Sequence, residues 1–144
     1  MKRDYGIFHV ALKILLRKGD EFLFLRTDND RYWDWPGGRI DNVEMTTPLE
    51  RVLAREVREE LGKTLKYKLG RPILFYRRWF AERRIYIFSM MYEADWISGD
   101  IKLSFEHNRY EWINPKTFRF RKKDFFSDEE YDAVMKYFKE NGYA

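Results

Sequence analysis

The sequence contains no cysteine and only two histidines among 144 residues. The first absence excludes both a disulfide framework and a thiolate metal site. The second excludes a histidine-rich zinc centre. Any metal bound by this chain must therefore be held by oxygen. Excess charge of one sign is also scarce: 28 Lys and Arg against 24 Asp and Glu leave a net charge of +4. That surplus can attract a polyanion but is too small to decide for nucleic acid. No apolar run approaches the length of a membrane-spanning helix. The apolar stretch after Met1-Lys2-Arg3 is interrupted by His9 and Lys13 and lacks a small-residue cleavage site, so it does not read as a signal peptide. A soluble, cytoplasmic protein with no membrane partner is the expectation.

What is present argues for a folded domain. Hydrophobic residues make up 44% and aromatics 19% of the chain, and its length suits a single domain over residues 1–144 with a sizeable core. Ile7 to Leu16 and Glu21 to Arg26 read as a hairpin joined by Arg17-Lys18-Gly19-Asp20. Tyr32-Trp33-Asp34-Trp35-Pro36-Gly37-Gly38 implies tightly turned backbone. A helix over about 48–61 is expected, with a Thr47-x-x-Glu50 capping box, Pro48 at its first position and Gly62 just past its end. Ile73 to Phe80 and Arg84 to Glu93 read as strands around Ala81-Glu82-Arg83, and a short strand runs from about Tyr110 to Ile113. A second helix, about 128–140, opens at Ser127 with Glu130 in a Ser-x-x-Glu pair; its inner face is Tyr131, Val134, Met135 and Phe138. Strands on either side of one helix, with another helix at the end, predict a mixed sheet covered on both faces.

Within the first helix Glu56, Glu59 and Glu60 lie three and four residues apart, a spacing that brings side chains together on a helix surface. Glutamates on helices are usually solvated. At roughly 100° per residue, however, Glu56 and Glu60 fall inside the apolar arc of Leu49, Val52, Leu53 and Val57, and Glu59 falls at its edge. Carboxylates pointed at a core each cost several kcal/mol unless paired or bound to a cation. Crowded oxygen ligands suit a hard cation, Mg²⁺ above all, and such sites commonly bridge to substrate phosphates. Arg55 can reach Glu59 and can also clamp the loop carboxylate Glu44.

These residues resemble the box of the Nudix hydrolase family, Gly-x5-Glu-x7-Arg-Glu-U-x-Glu-Glu-x-Gly-U with U aliphatic. Gly38 and Glu44 match its first part, and Arg55-Glu56-Val57-Arg58-Glu59-Glu60-Leu61-Gly62 its second part without a gap. Two features depart from the pattern: ten residues rather than seven separate Glu44 from Arg55, and Lys63 stands at the final aliphatic position. The extra residues precede the helix and are expected to lengthen the loop. Trp33-Asp34-Trp35-Pro36-Gly37-Gly38 is similar to the family's Trp-x-Leu-Pro-Gly-Gly entry. The resemblance implies an α/β/α sandwich with a mixed sheet between helices, and Mg²⁺- or Mn²⁺-dependent cleavage of a nucleoside diphosphate derivative. By position it makes Glu56, Glu60, Glu59 and a backbone carbonyl of Gly37 or Gly38 the metal ligands. Glu59 then also serves catalysis, and Arg55 partners the carboxylates. In several Nudix enzymes a late loop supplies the general base, which makes Glu106 the first candidate and His107 the second.

Trp33, Arg39 and Arg77 are the candidate substrate-binding side chains. Trp33 is chosen for stacking from a set that includes Tyr32, Tyr76, Trp79 and Phe80, because it sits beside the Gly-Gly turn. Arg77 is chosen for phosphate from Arg77, Arg78, Arg83 and Arg84, which flank the predicted hairpin. The small-molecule nucleotide substrate expected is a nucleotide-sugar ahead of a nucleoside triphosphate or dinucleotide. Two alternatives stand beside it: a catalytically weak nucleotide-binding module of the same fold, and a protein that binds or processes RNA 5′ ends. Nucleic acid is the less favoured partner, and a homodimer is left open.

Overall fold

The computed structural model describes residues 2–144 apart from 28, 30 and 106, together with all of their side chains except that of residue 108. The described residues form a seven-stranded mixed sheet built around β1 (Phe8–Lys18). One edge of β1 runs parallel to β6 (Ile85–Ser98), which pairs antiparallel with β5 (Lys66–Phe80). The other edge is shared: β4 (Gly37–Arg39) pairs with Ala11 to Lys13, and β2 (Glu21–Thr27) pairs with the far end. β3 (Trp33–Asp34) and β7 (His107–Ile113) both pair with β2. Two helices, α1 (Leu49–Leu61) and α2 (Asp128–Glu140), complete the chain's layers.

Strand alternation explains the two cores. Paired residues of adjacent strands share a face, and successive residues change face. Leu12, Ile14 and Leu16 therefore point one way with Tyr92 and Ala94, and Val52, Leu53, Val57 and Leu61 of α1 pack on them. Leu15, Met91, Leu74 and Tyr76 point the other way and meet Val134 and Phe138 of α2. This is the expected sheet between helices. On the α1 face the strands outrun the helix, leaving Phe75, Trp79 and Tyr86 exposed. On the α2 face they also outrun it, and there the uncovered part becomes a cleft.

The predicted Thr47-x-x-Glu50 box is not made. Pro48 is extended at φ −52°, ψ 134° and is itself the residue that enters the helix, so α1 starts at Leu49 and Glu50 sits one position too early to reach back. The capping box occurs instead on the short turn Asn42–Glu44, where Asp41 accepts from Val43 and Glu44 accepts from the Asp41 N–H at 3.1 Å. Gly62 ends α1 at φ +93°, as its place in the sequence predicts. At α2, Ser127 accepts from the Glu130 N–H at 3.1 Å. The Glu130 carboxylate does not return to the Ser127 backbone; it is fully buried and accepts from the Trp35 indole and the Phe126 N–H, each at 2.9 Å.

Candidate active site

The site is organised by the Pro36-Gly37-Gly38 turn. Trp35 is locked beneath it by Glu130, and the Pro36 carbonyl accepts from the Ile14 N–H at 2.9 Å. Gly37 has φ +137°, and a Cβ there would collide with the Leu12 carbonyl; a Cβ on Gly38 would collide with the Glu56 carboxylate. Glycine is thus required by backbone conformation at the first position and by close approach at the second. Gly37→Ala is expected to destabilise the fold by at least about 2 kcal/mol, which urea unfolding would measure.

α1 brings its acids to this turn. Glu60 is 5% exposed, and its Oε2 accepts from the Gly37 N–H at 3.3 Å. Burial pushes its carboxyl up to about 7, against the pull of nearby Lys13. Glu56 lies half-buried beside Gly38; burial raises its carboxyl too, although Arg55 opposes the shift. Glu59 is different, with a side chain 60% exposed. Arg55 binds Glu44 fork to fork at 2.7 and 2.8 Å, Glu59 through both oxygens at 3.1 Å, and Glu56 at 3.0 Å. Glu44, first among these, holds the guanidinium firmly protonated. The lengthened loop therefore does not detach Glu44 from Arg55.

Among the described residues no three His, Asp or Glu side chains converge into a ready metal site. Glu56 and Glu59 face Arg55 instead. The donor chemistry nevertheless fits a hard cation: every candidate donor is an oxygen, and Glu60 is a buried carboxylate with a single hydrogen bond among the described residues.

A second buried charge cluster, invisible to motif reading, underlies the turn. Asp34 receives the Lys13 ammonium at 3.4 Å, His107 Nε2 at 3.0 Å and the Trp35 N–H at 2.8 Å. Burial opposes ionisation of Asp34, but Lys13 and then His107 hold it well below the usual carboxylate range. Burial likewise opposes protonation of His107, yet Asp34 and the nearby Glu60 raise its pKa. His107 Nε2 is held against Asp34, while its buried Nδ1 has no partner among the described residues, so the ring is fixed beside the cleft by one nitrogen alone. Lys13 was legible only as a charge interrupting an apolar strand. Asp34 had no signal beyond its place between two tryptophans.

These buried groups dictate how stability varies with pH. Glu60 and Glu130 both rise to about 7, chiefly through burial, from an ordinary value of 4.5. Between those values the folded chain holds protons that the unfolded chain has released, so stability falls as pH rises. His107 acts in the same direction: its contribution is complete below about pH 6.5 and is lost as pH climbs through the raised folded value. Asp34 acts oppositely, its contribution fading below about pH 4. Urea unfolding of the metal-free protein is expected to show greatest stability near about pH 5 and a decline towards pH 8. A flat profile over that interval would contradict these environments.

The turn, the acids and the sheet face beyond α2 enclose a cleft of about 910 Å³. Lys13, Ala11 and His9 run along its floor, with Ser89 and Ile87 beside them; Arg39, Arg78, Phe80, Arg83 and Phe126 line its walls. Of the sequence candidates, Gly38, Arg39, Glu56, Glu60 and His107 line this cleft. Arg55 and Glu59 adjoin it through Glu56. Glu106 lies outside the described residues. Two substrate-binding expectations are corrected. Trp33 is 1% exposed and packs edge-on to Phe24 with Arg26 stacked 3.5 Å over its ring, so it belongs to the core. Arg77 is turned from the cleft by strand alternation and pairs with Glu129 at 3.0 Å; its neighbour Arg78 faces the cleft.

The NUDIX domain profile matches residues 7–134. No curated protein matches the sequence significantly. Among solved structures, the chain is similar to the MutT protein from Methanosarcina mazei Go1, with 23% identity and a TM-score of 0.75 over 96% of this chain and 99% of that one. It is also similar to a UDP-X diphosphatase (11%, TM-score 0.68, 96% of this chain and 66% of that one). An ADP-ribose pyrophosphatase from Streptococcus suis 89-1591 gives 14% identity and a TM-score of 0.62 over 90% of each chain. At these identities the likeness is one of fold. The profile match covers most of the sequence, and with the glutamate helix set against its Gly-Gly turn it places the chain in the NUDIX domain family, whose hydrolases act on pyrophosphate bonds.

Proposed function

We propose that this chain hydrolyses the diphosphate linkage of a nucleoside diphosphate derivative with a divalent cation. The observation that carries the reading is the placement of buried Glu60 and half-buried Glu56 at the Gly37-Gly38 turn, at one end of a cleft large enough for a nucleotide. Glu56, Glu60 and a backbone carbonyl of Gly37 or Gly38 would hold Mg²⁺ or Mn²⁺, with Glu59 as a further ligand or an orienter of water. When bound there, such an ion would supply charge neutralisation for the diphosphate, a more acidic attacking water and stabilisation of the departing phosphate. Arg55 aligns Glu56 and Glu59, Asp34 fixes His107, and the glycines admit the substrate backbone-close. Glu106 keeps its sequence-based place as candidate base.

A nucleotide-sugar remains the favoured substrate class, and similarity of fold to a UDP-X diphosphatase and an ADP-ribose pyrophosphatase agrees with a diphosphate-linked sugar. One observation favours a nucleotide-binding module instead: Glu56 and Glu59 are both tied to Arg55. A panel of nucleoside diphosphate derivatives incubated with Mg²⁺, with products identified by mass, separates the two. Metal-dependent release of a nucleoside monophosphate supports the hydrolase; tight binding without products supports the module.

A further inference from the structure

The cleft is electrically divided. Its acidic end lies in the cross-strand row of Lys13 and Gly37, near Asp34, Glu56 and Glu60. Four residues along β1, His9 pairs with Ile87, and Ile87 pairs with Arg78. At about 3.3 Å per residue that row lies roughly 13 Å away. Arg39 reaches the same end, with Nη1 3.2 Å from His9 Nδ1, and Arg83 overhangs it from the turn after β5.

The arginines gathered there lack the carboxylate partners that several others in the chain have. Arg55, Arg71, Arg77 and Arg121 each have a carboxylate partner. Arg39, Arg78 and Arg83 have none among the described residues. Aromatic rings hold two of them instead: Arg78 lies 3.8 Å over Phe126 and Arg39 4.5 Å over Phe80. A ring fixes a guanidinium plane without neutralising it, which leaves the N–H edges for another acceptor. Glu82, beside Arg83, also lines the cleft and offsets part of this charge. Lys13 is not free to contribute, since it is committed to Asp34 and the Trp35 carbonyl.

On the hydrolase reading the scissile diphosphate lies at the acidic end, beside the glutamates that would hold the cation. That leaves three arginines, two of them held by rings, about one diphosphate and one sugar ring away. We propose that Arg39, Arg78 and Arg83 form a subsite for a second anion, so that the preferred substrate is a nucleoside diphosphate derivative whose attached moiety carries its own negative charge. The inference rests on the hydrolase reading above and narrows its substrate class. The anion has two chemical sources, an acidic group on a sugar or an additional phosphate.

UDP-glucose and UDP-glucuronate differ only by a carboxylate in place of the CH2OH at the far end of the sugar, and UDP-glucose 6-phosphate carries a phosphate at that same carbon. Affinity by calorimetry and kcat/KM with Mg²⁺ are measured for all three. The wild-type protein is expected to favour at least one anionic ligand over UDP-glucose by about tenfold or more, the scale of charge-assisted hydrogen bonds. A preference for the glucuronate assigns the anion to a sugar carboxylate, and one for the 6-phosphate assigns it to an additional phosphate. Arg83→Ala, in an exposed turn, and Arg78→Ala are expected to lower that preference together towards unity, with Arg83→Glu lowering it further. Equal affinities for the three ligands, no binding of either anionic one, or a preference that survives the double variant would overturn the subsite. Binding with the expected preference but no products with any ligand would instead overturn the hydrolase reading and leave the subsite supported.

Discussion

Replacing Glu60 with glutamine is expected to lower Mg²⁺-dependent hydrolysis by about a thousandfold while leaving the fold intact. The magnitude is that of removing one group that holds transition-state charge in a water-poor site. The unusual part is stability. Raising a carboxyl from 4.5 to about 7 by burial corresponds to on the order of 3 kcal/mol of strain on the ionised form. Glutamine is nearly the same size, can keep the Gly37 N–H bond, and carries no charge to desolvate. The metal-free variant should therefore unfold at the same urea concentration as the wild type or at a higher one at pH 8. Glu59→Gln, at an exposed and ion-paired position, should cost activity far less, about tenfold. Parallel loss of activity and stability in Glu60→Gln would assign that residue to the scaffold.

Asp34→Ala is expected to cost about 3–5 kcal/mol, the penalty for stranding buried charge. Lys13 and His107 both turn to this carboxylate, and the Trp35 N–H donates to it as well. Removing it leaves the buried Lys13 ammonium with the Trp35 carbonyl alone, and leaves His107 Nε2 and the Trp35 N–H unanswered, close to the Gly37-Gly38 turn. For a chain of 144 residues the loss corresponds to a fall in Tm of roughly 10 °C. Removing Lys13 together with Asp34 should cost less than the sum of the two single changes, because each single change strands the other's charge. Urea unfolding of the four proteins at pH 7 measures both effects. A loss below about 1 kcal/mol for Asp34→Ala would mean that water already reaches these groups.

How far the sequence foretold this arrangement depends on the kind of regularity involved. The burial of Glu60 was readable because a helix repeats every 3.6 residues and the residue interrupts an apolar arc. Arg55 and Glu44 were readable as a pair even across an irregular loop, since a short turn can absorb extra residues. Arg77 was misread for a reason intrinsic to strands. Phe75, Arg77 and Trp79 alternate with Tyr76, Arg78 and Phe80, so both faces look amphipathic and a one-residue error reverses the assignment. Trp33 was misplaced because proximity to a glycine turn in sequence says nothing about which way a ring points. Asp34, Lys13 and His107 come from strands 21 and 73 residues apart, and no local pattern announces such a meeting. The same applies to Glu130, whose local signature was a helix cap and whose carboxylate instead steadies Trp35, 95 residues away in sequence.

The central claim is that the Glu56 and Glu60 end of the cleft breaks a diphosphate with the help of a divalent cation. Its most direct measurement is single-turnover hydrolysis of a nucleoside diphosphate derivative in ¹⁸O-labelled water, with and without Mg²⁺, by the wild type and Glu60→Gln. The account predicts a nucleoside monophosphate and a second phosphorylated product, one of them carrying ¹⁸O, formed only with the metal and nearly absent from the variant. Nucleotide recovered intact, or products formed equally by both proteins or equally without metal, would contradict it.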